Sequence, residues 1–215
     1  MDPAVLDAVR ALTAPEDDAM LLARERTGTS NMPPDPQVGS MMAWAARSLT
    51  AKAVVEVGSS GGVSGLWLLR GMDGQGLLTS VEPVAHAHAL ASDAYTDSGA
   101  PGRVRAILGD PLTVLPRLTD GAYDLMVLQT APHWYTTLFG HAKRLLRPGG
   151  MLIARGVLRK TEHADELVAF IEAAVRDDEL PTTILPMEDG IAFAIRQAPA
   201  PAERPRTGSR VRDKR

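Results

Sequence analysis

The stretch VVEVGSSGGVSGLWLL, residues 54–69, passes from one apolar segment through a cluster of glycines and serines into a second apolar segment. This order is typical of a β-strand that turns tightly into a helix. A P-loop requires Lys followed by Ser or Thr after its last glycine, but Gly62 is followed by Val and Ser. A dinucleotide-binding loop requires glycines at its first, third and sixth positions. Counted from Gly58, the third and sixth residues are Ser60 and Val63. The loop therefore argues against the binding of nucleoside triphosphates. It also makes a nicotinamide-dependent oxidoreductase the least favoured of the three functions that the sequence suggests.

Short apolar runs alternate with longer helical patterns after residue 51. The runs are AVVEV (53–57), LLTSVE (77–82), VRAIL (104–108), YDLMVL (123–128) and MLIA (151–154). Such alternation is typical of a parallel sheet whose strands are joined by crossover helices. Near the end of the chain, TTILPM and IAFAIRQ flank the turn EDG, which predicts an antiparallel hairpin. We therefore predict an α/β fold with a doubly wound, mostly parallel sheet of seven strands and a C-terminal antiparallel hairpin.

The first 50 residues contain three helical patterns, which predict a set of N-terminal helices capping the sheet. The sequence TAPEDD predicts that one of these helices is capped by Thr13 and has Pro15 at its first position. With 215 residues, 45% of them apolar, the chain is long enough for one domain with a buried core. We predict one domain over residues 1–197, with the helical cap at 1–50 and the sheet core at 51–197.

Residues 198–215 differ in composition from the rest of the chain. They hold six Arg or Lys residues against two acidic ones, although the whole chain has a net charge of −3. A basic, proline-rich segment without apolar periodicity predicts a disordered tail. The remaining chain is acidic, which argues against nucleic acid as a partner, although the tail alone could contact nucleic acid or an acidic protein.

The cellular location is predicted from what the sequence lacks. The chain contains no cysteine, so it has no disulfide, thiol nucleophile or thiolate metal site, and it suits a reducing compartment. The acidic residues near the N-terminus do not fit a signal peptide, and no apolar run reaches the roughly 20 residues needed to cross a bilayer. We therefore predict a cytoplasmic protein with no membrane partner.

Acidic residues stand at the ends of three predicted strands. Glu56 precedes Gly58 by two positions, Glu82 ends the second strand, and Asp110 follows the third strand in the sequence GDP. Because open α/β sheets bind ligands at the carboxyl ends of their strands, we expect these carboxylates at one site. Glu82 could accept hydrogen bonds from both hydroxyls of a ribose, Glu56 could meet an ammonium, and Asp110 could accept from an adenine amino group. S-Adenosylmethionine carries all of these groups and no phosphate.

Five motifs around these residues resemble those of the cation-dependent small-molecule O-methyltransferases of the catechol and caffeoyl-CoA type. VVEVGSSGGVSGLWLL is similar to their first motif, LLTSVEP to their second and ILGDPLTVLPRL to their third, while YDLMVLQTAPHWY and LLRPGGMLIARGVL are similar to the fourth and fifth. The resemblance extends over residues 33–197. It implies a Rossmann-like class I methyltransferase fold, S-adenosylmethionine as cofactor and a homodimer. The cofactor contacts that we predict, most of them implied by the resemblance, are Pro34, Glu56, Gly58, Ser59, Ser64, Glu82, Asp110, Pro111 and Gln129.

The metal-binding positions of this family hold different residues in this chain. The family's fourth strand ends in Asp-Ala-Asp-Lys and its fifth in Asp-Asn, whereas this chain has QTAP at 129–132 and Arg155 followed by Gly156. A hard cation such as Mg²⁺ requires oxygen ligands, preferably anionic ones. Arg155 would instead place a cation among them. We therefore predict that the protein binds no metal.

His133 and Arg155 are the remaining catalytic candidates. His133 follows the fourth strand, and a histidine there could act as a general base, but it would equally fit a surface or capping position. Arg155 could bind a substrate carboxylate or phosphate, lower the pKa of a phenol, or pair with a nearby acid to hold its strand. We predict an S-adenosylmethionine-dependent methyltransferase that methylates an oxygen of a small-molecule acceptor without a metal, and the sequence leaves a nitrogen acceptor open as an alternative. The alternative is a catalytically inactive cofactor-binding or regulatory protein of the same fold.

Overall fold

Seven strands form one sheet in the part of the chain that the computed structural model describes, residues 3–29 and 31–198. The strands are β1 (Ala53–Val57), β2 (Leu77–Glu82), β3 (Val104–Leu108), β4 (Tyr123–Leu128), β5 (Leu146–Arg155), β6 (Thr182–Leu185) and β7 (Ile191–Ile195). Their order across the sheet is β3-β2-β1-β4-β5-β7-β6. Strands β1 to β5 are parallel, and β7 runs antiparallel to both β5 and β6. The predicted fold class is confirmed.

The described residues also form eight α-helices. They are α1 (Pro3–Leu12), α2 (Asp18–Thr27), α3 (Pro36–Ser48), α4 (Val63–Gly71), α5 (Ala85–Asp97), α6 (Pro111–Val114), α7 (Tyr135–Leu145) and α8 (Ala164–Val175). Helices α1 to α3 precede the sheet, in agreement with the three helical patterns.

The predicted start of α2 is wrong. The helix begins at Asp18, and the side chain of Asp17 caps it by accepting a hydrogen bond from the Met20 N–H at 3.0 Å. Thr13 instead donates its hydroxyl to the carbonyl of Val9 at 2.8 Å, at the end of α1. A carboxylate is a good N-cap because its charge also interacts favourably with the helix dipole.

The chain changes its direction of travel across the sheet beside β1. From β1 it proceeds outward through β2 to β3, and β4 then returns to the opposite side of β1. The connections that leave the adjacent strands β1 and β4 therefore run in opposite directions, from β1 to β2 and from β4 to β5. Open α/β sheets bind ligands at the carboxyl ends of the strands next to such a switch point.

Alternate residues of each strand pack into two separate cores on opposite faces of the sheet. Val54 and Leu125 belong to the core shared with α3, α4 and α5, while Val55 and Met126 belong to the core shared with α7 and α8. This alternation follows from the two-residue period of a β-strand. Because both faces are covered at the centre of the sheet, β1 and β4 are buried over most of their length, whereas the edge strand β3 has no buried residue. Glu56 shares the face of Val54 and is therefore enclosed by helices.

The basic tail predicted for residues 198–215 lies outside the described residues, apart from Ala198. The division of residues 1–197 into a cap and a sheet core stays a prediction. None of the described helices is long and apolar enough to cross a membrane.

Candidate functional site

Gly58 closes the turn after β1 in a conformation that few other residues adopt. Its φ is +87°, and a Cβ placed on it would lie 1.7 Å from the carbonyl oxygen of Gln129. The backbones that follow β1 and β4 therefore approach each other so closely that only glycine fits. Both residues line a cleft at the switch point of the sheet.

Glu82, the last residue of β2, holds this turn in place. Its Oε2 accepts hydrogen bonds from the N–H and the hydroxyl of Ser59, both at 2.8 Å, and its Oε1 accepts from the Val84 N–H at 3.0 Å. The residue is only 6% exposed. Because a carboxylate has about four lone-pair positions, three donors leave capacity for a hydroxyl of a ligand.

Glu56 lies behind the turn in a network of hydroxyl groups. Its Oε1 accepts from Ser80 and Tyr95, both at 2.7 Å, and its Oε2 accepts from Ser64 at 2.9 Å. Burial raises the pKa of Glu56 to about 7, although these hydrogen bonds act in the opposite direction. Burial, and then the Glu56 carboxylate, also raises the pKa of Tyr95. The network joins β1, β2, α4 and α5 beneath the turn.

The cleft has a volume of about 310 Å³ and opens where β1, β2 and β4 end. One part of its lining comes from the turn and the end of β2, namely Gly58, Ser60 and residues 82–84. Another part follows β4 and β5, namely residues 129–131, Trp134 and Arg159, and the segment before α3 adds Asn31 and Met32. The lining combines apolar side chains with one acidic and one basic group.

Two polar atoms in the cleft are buried and have no hydrogen-bond partner among the described residues. They are Ser60 Oγ and Gln129 Oε1. The Gln129 amide nitrogen donates to the carbonyls of Asn31 and Met32, which fixes the orientation of the amide. Because buried polar atoms in folded proteins are almost always paired, these two atoms suit a polar ligand.

Three of the nine predicted cofactor-binding residues line the cleft, namely Gly58, Glu82 and Gln129. Three others are buried behind it, namely Glu56, Ser59 and Ser64. The two serines donate to the two glutamates, so they position the site without lining it. The contact between Glu56 and an ammonium stays a prediction, and the carboxylate oxygens accept hydrogen bonds from Ser64, Ser80 and Tyr95.

Pro34 is buried and does not line the cleft. Its carbonyl accepts a hydrogen bond from Arg24 Nη2 at 2.6 Å. Asn31 and Met32 of the same segment line the cleft instead. The sequence therefore indicated the correct segment but not the residues that reach the site.

Asp110 and Pro111 lie at the end of β3, outside the lining of the cleft. Asp110 caps α6 by accepting from the Leu112 N–H at 2.8 Å, and Pro111 is the first residue of that helix, a position that suits proline. Asp110 is exposed. Its contact with an adenine amino group stays a prediction.

His133 lies in a short 3-10 turn between β4 and α7 and is exposed. Its ring contacts those of Trp134 and His163 edge-on, with centroid distances of 5.0 and 6.3 Å. Trp134 lines the cleft, whereas His133 does not. The geometry favours the surface alternative and gives no support to a catalytic role for His133.

Arg155 ends β5 and is only 5% exposed. Its Nη2 and Nε lie 2.6 and 3.1 Å from Oε2 of Glu188, whose Oε1 accepts from the Asp35 N–H at 2.7 Å. The pair therefore joins β5 to the turn between β6 and β7 and to the start of α3. Arg155 Nη1 has no partner among the described residues and borders a small cavity beside the cleft. This arrangement favours the strand-holding alternative for Arg155.

Gln129 follows β4 and Gly156 follows β5, at the positions where the resembled family carries metal ligands. Gln129 offers one neutral oxygen, and the ion pair of Arg155 with Glu188 lies beside it in the lining of the small cavity. Within residues 3–29 and 31–198, no three His, Asp or Glu side chains group together as a metal site.

Arg159 lines the cleft, but nothing in the sequence singled it out. Its guanidinium donates to Met32 Sδ at 3.2 Å and to the carbonyl of Thr130 at 3.3 Å. A basic residue a few positions after a strand is usually a solvated surface residue, so its type and spacing carry no signal. Asn31 and Met32 were missed because they lie far from the motifs in sequence and reach the cleft only through the packing of α2 and α3.

Comparison with known proteins agrees with this geometry. A family model described as a methyltransferase domain matches residues 55–155, which include the turn, Glu82 and Gln129. A protein of Mycobacteroides abscessus named "Putative O-methyltransferase" is 39% identical over 192 residues, which cover 84% of this chain and 89% of the relative. This chain belongs to the O-methyltransferase family. A family member of the same name from Mycolicibacterium vanbaalenii is 37% identical over 194 residues, which cover 84% of this chain and 85% of that protein.

The fold of this O-methyltransferase is similar to that of a solved structure, TomG of Streptomyces achromogenes. TomG is an O-methyltransferase involved in tomaymycin synthesis, and its structure was solved in complex with S-adenosylmethionine. The two chains superpose with a TM-score of 0.82 at 22% identity, covering 91% of this chain and 96% of TomG. At this level of identity the likeness shows the fold. The family predicted from the motifs is confirmed.

Proposed function

We propose that this protein transfers the methyl group of S-adenosylmethionine to an oxygen of a small-molecule acceptor without the help of a metal ion. The observation that carries the proposal is the cleft at the switch point. There Glu82 retains hydrogen-bonding capacity beside two buried polar atoms without partners, Ser60 Oγ and Gln129 Oε1. The family of the chain and the cofactor in the TomG structure support the methyl transfer from S-adenosylmethionine. The proposed independence from a metal rests on Gln129, Arg155 and Gly156 alone.

The residues of the cleft fit this cofactor. Glu82 would accept hydrogen bonds from the ribose, because a carboxylate at the end of the second strand is suited to vicinal hydroxyls. The turn at Gly58 has no side chain and lets the ligand approach the backbone. Ser60 and Gln129 would supply the polar contacts that their side-chain oxygens lack in the protein alone.

The chemistry that the cofactor supplies when bound is an electrophilic methyl group on a sulfonium. Transfer forms an oxygen–carbon bond, breaks the sulfur–carbon bond and releases the hydroxyl proton of the acceptor. The protein's part is to hold the acceptor oxygen in line and to exclude water, and such positioning supplies several kcal/mol of a barrier of this kind, up to about 7–11. The half-buried ring of Trp134 and the neighbouring Ala131 would provide the apolar side of that enclosure.

Calorimetry of S-adenosylmethionine binding tests the cofactor site. Glu82→Ala should weaken binding by about 1.5–3 kcal/mol, since hydrogen bonds to a charged group are lost. Asp93→Ala is the matched control, because Asp93 is an exposed acid on α5 and outside the cleft. Unchanged affinity in Glu82→Ala, or no binding by the wild-type protein, would remove the basis of the proposal.

The metal is tested separately. Any methyl transfer should proceed at the same rate with EDTA and with added Mg²⁺, because the positions of the family's carboxylate and amide ligands here hold Gln129, Arg155 and Gly156. A strict Mg²⁺ requirement would contradict this part of the proposal. Tight cofactor binding with no methylated product from phenols, acids or amines would favour the inactive cofactor-binding protein instead.

The proposal extends to the setting of the enzyme. We place it in the cytoplasm, because a chain without cysteine suits a reducing compartment. The acidic charge of residues 1–197 supports a small-molecule acceptor over nucleic acid. A homodimer is proposed from the family resemblance, and sedimentation of the purified protein would test it.

A further inference from the structure

Arg159 carries an uncompensated positive charge in the cleft. The charged residues of the lining are Glu82 and Arg159, and Glu82 is bonded to Ser59 and Val84. The contacts of the Arg159 guanidinium are with neutral atoms, Met32 Sδ and the Thr130 carbonyl. Within the described residues no carboxylate forms an ion pair with it.

The acidic groups that border the small cavity together with Arg159 are engaged elsewhere or exposed. Glu188 borders the same small cavity, but its carboxylate is bonded to Arg155 and to the Asp35 N–H. Asp189 also borders that cavity and is exposed to solvent. Because Glu188 neutralises Arg155, the positive charge that remains available to a ligand is that of Arg159.

The surroundings of Arg159 define the kind of ligand that would satisfy it. Trp134, Ala131 and Met32 present apolar surface in the same cleft, and Met32 contacts the guanidinium through its Sδ. An arginine binds a carboxylate through two parallel hydrogen bonds, and it does so more strongly where water is partly excluded. Arg159 is half-buried, so such a pair would be partly shielded from solvent.

We propose that Arg159 binds the carboxylate of the acceptor, and that the acceptors of this enzyme are small aromatic hydroxy acids whose ring lies against Trp134. The inference rests on the proposed function and names its substrate class. Arg159 lies on the β4 and β5 side of the cleft, whereas Glu82 and the cofactor turn lie on the β1 and β2 side. The carboxylate would therefore orient the ring while its hydroxyl takes up the methyl group and releases its proton to solvent.

Matched acceptor pairs test the inference. The probes are 4-hydroxybenzoate and 3,4-dihydroxybenzoate, each compared with its methyl ester, which keeps the ring and hydroxyls but removes the charge. For the wild-type enzyme, kcat/KM should favour the acid over the ester by about tenfold or more. Arg159→Gln should abolish most of that preference by raising KM for the acids, with a much smaller effect on the esters. Arg159→Lys should retain part of the preference, because lysine keeps the positive charge but cannot form the two parallel hydrogen bonds of an arginine.

Lys160→Gln is the charge-matched control, because Lys160 is the exposed neighbour and lies outside the lining of the cleft. It should leave the preference for the acids unchanged. Equal losses for acids and esters in Arg159→Gln, a wild-type preference for the esters, or no turnover of any of the four probes would overturn the inference.

Calorimetry separates this failure from that of the proposed function. Arg159→Gln should bind S-adenosylmethionine as tightly as the wild-type protein. A weaker affinity would assign Arg159 to the cofactor and overturn the acceptor inference alone. If the wild-type protein does not bind S-adenosylmethionine, the proposed function fails and this inference fails with it.

Discussion

The ionisation of Glu56 is decided by burial. Its pKa is raised from 4.5 to about 7, so the folded state keeps a proton that the unfolded chain has already lost. The stability of the protein should therefore fall as pH rises from about 4.5 to about 7, and Glu56 should contribute no further change outside this window. The glutamine of Glu56→Gln is neutral at every pH. This variant should therefore lack the fall in the free energy of unfolding, which is on the order of 3 kcal/mol in the wild-type protein.

Urea unfolding of the wild-type protein and of Glu56→Gln at about pH 5 and about pH 8 measures this difference. Glu172→Gln is the control, since this side chain is 60% exposed on α8. Its pH dependence should match that of the wild-type protein. A stability difference between wild type and Glu56→Gln that is the same at both pH values would show that Glu56 is ionised normally.

At the scale of elements, helix α4 packs so closely that its glycines cannot be replaced. A Cβ on Gly65 would lie 2.4 Å from the Tyr95 hydroxyl and 2.9 Å from Glu56 Oε1. Gly65→Ala should therefore destabilise the protein by about 1–3 kcal/mol through overpacking, even though alanine is the better helix former. Thermal unfolding measures the effect.

Gly140 provides the opposite case in helix α7. A Cβ there would meet nothing within 4 Å. Gly140→Ala should stabilise the protein by about 0.5–1 kcal/mol, because only the helix propensity changes. If both substitutions shift the melting temperature in the same direction, the close contacts at Gly65 and the open space at Gly140 do not determine the effect of an added methyl group.

At the scale of the whole molecule, Glu188 connects three parts of the fold. It lies in the turn between β6 and β7, pairs with Arg155 of β5 and accepts from the Asp35 N–H at the start of α3. Glu188→Ala would leave the Arg155 guanidinium buried without its partner and should cost about 3 kcal/mol of stability. The double variant Arg155→Leu with Glu188→Leu should recover part of this loss, because it leaves no buried charge.

Urea unfolding of the three proteins checks this prediction. A Glu188→Ala variant as stable as the wild-type protein would mean that the ion pair does not hold the strand. In that case the acceptor-binding alternative for Arg155 would have to be reconsidered.

The order of apolar runs and turns determined most of the fold. The runs predicted for β1 to β4 coincide with the observed strands. A strand is indicated by apolar residues that alternate or follow one another, and this pattern depends only on residues that are neighbours in the sequence. The cluster of glycines and serines also predicted the turn at Gly58. Glu82, the carboxylate predicted at the end of β2, lies in the cleft. The N-terminal cap at Thr13 was predicted wrongly, because two competing cap residues lie four positions apart in the same stretch.

Only the tertiary structure decided which side chains reach the cleft. Glu56 has the residue type and spacing of a ligand-binding acid, but its strand face points it into the helices, where Ser80 lies opposite it on β2. Arg155 was expected at the site, but the distant Glu188 holds it, while Arg159 and Asn31 reach the cleft without any local signal. Side chains on adjoining loops meet through long-range packing, and the strand order that brings them together is not encoded in the spacing of any single motif.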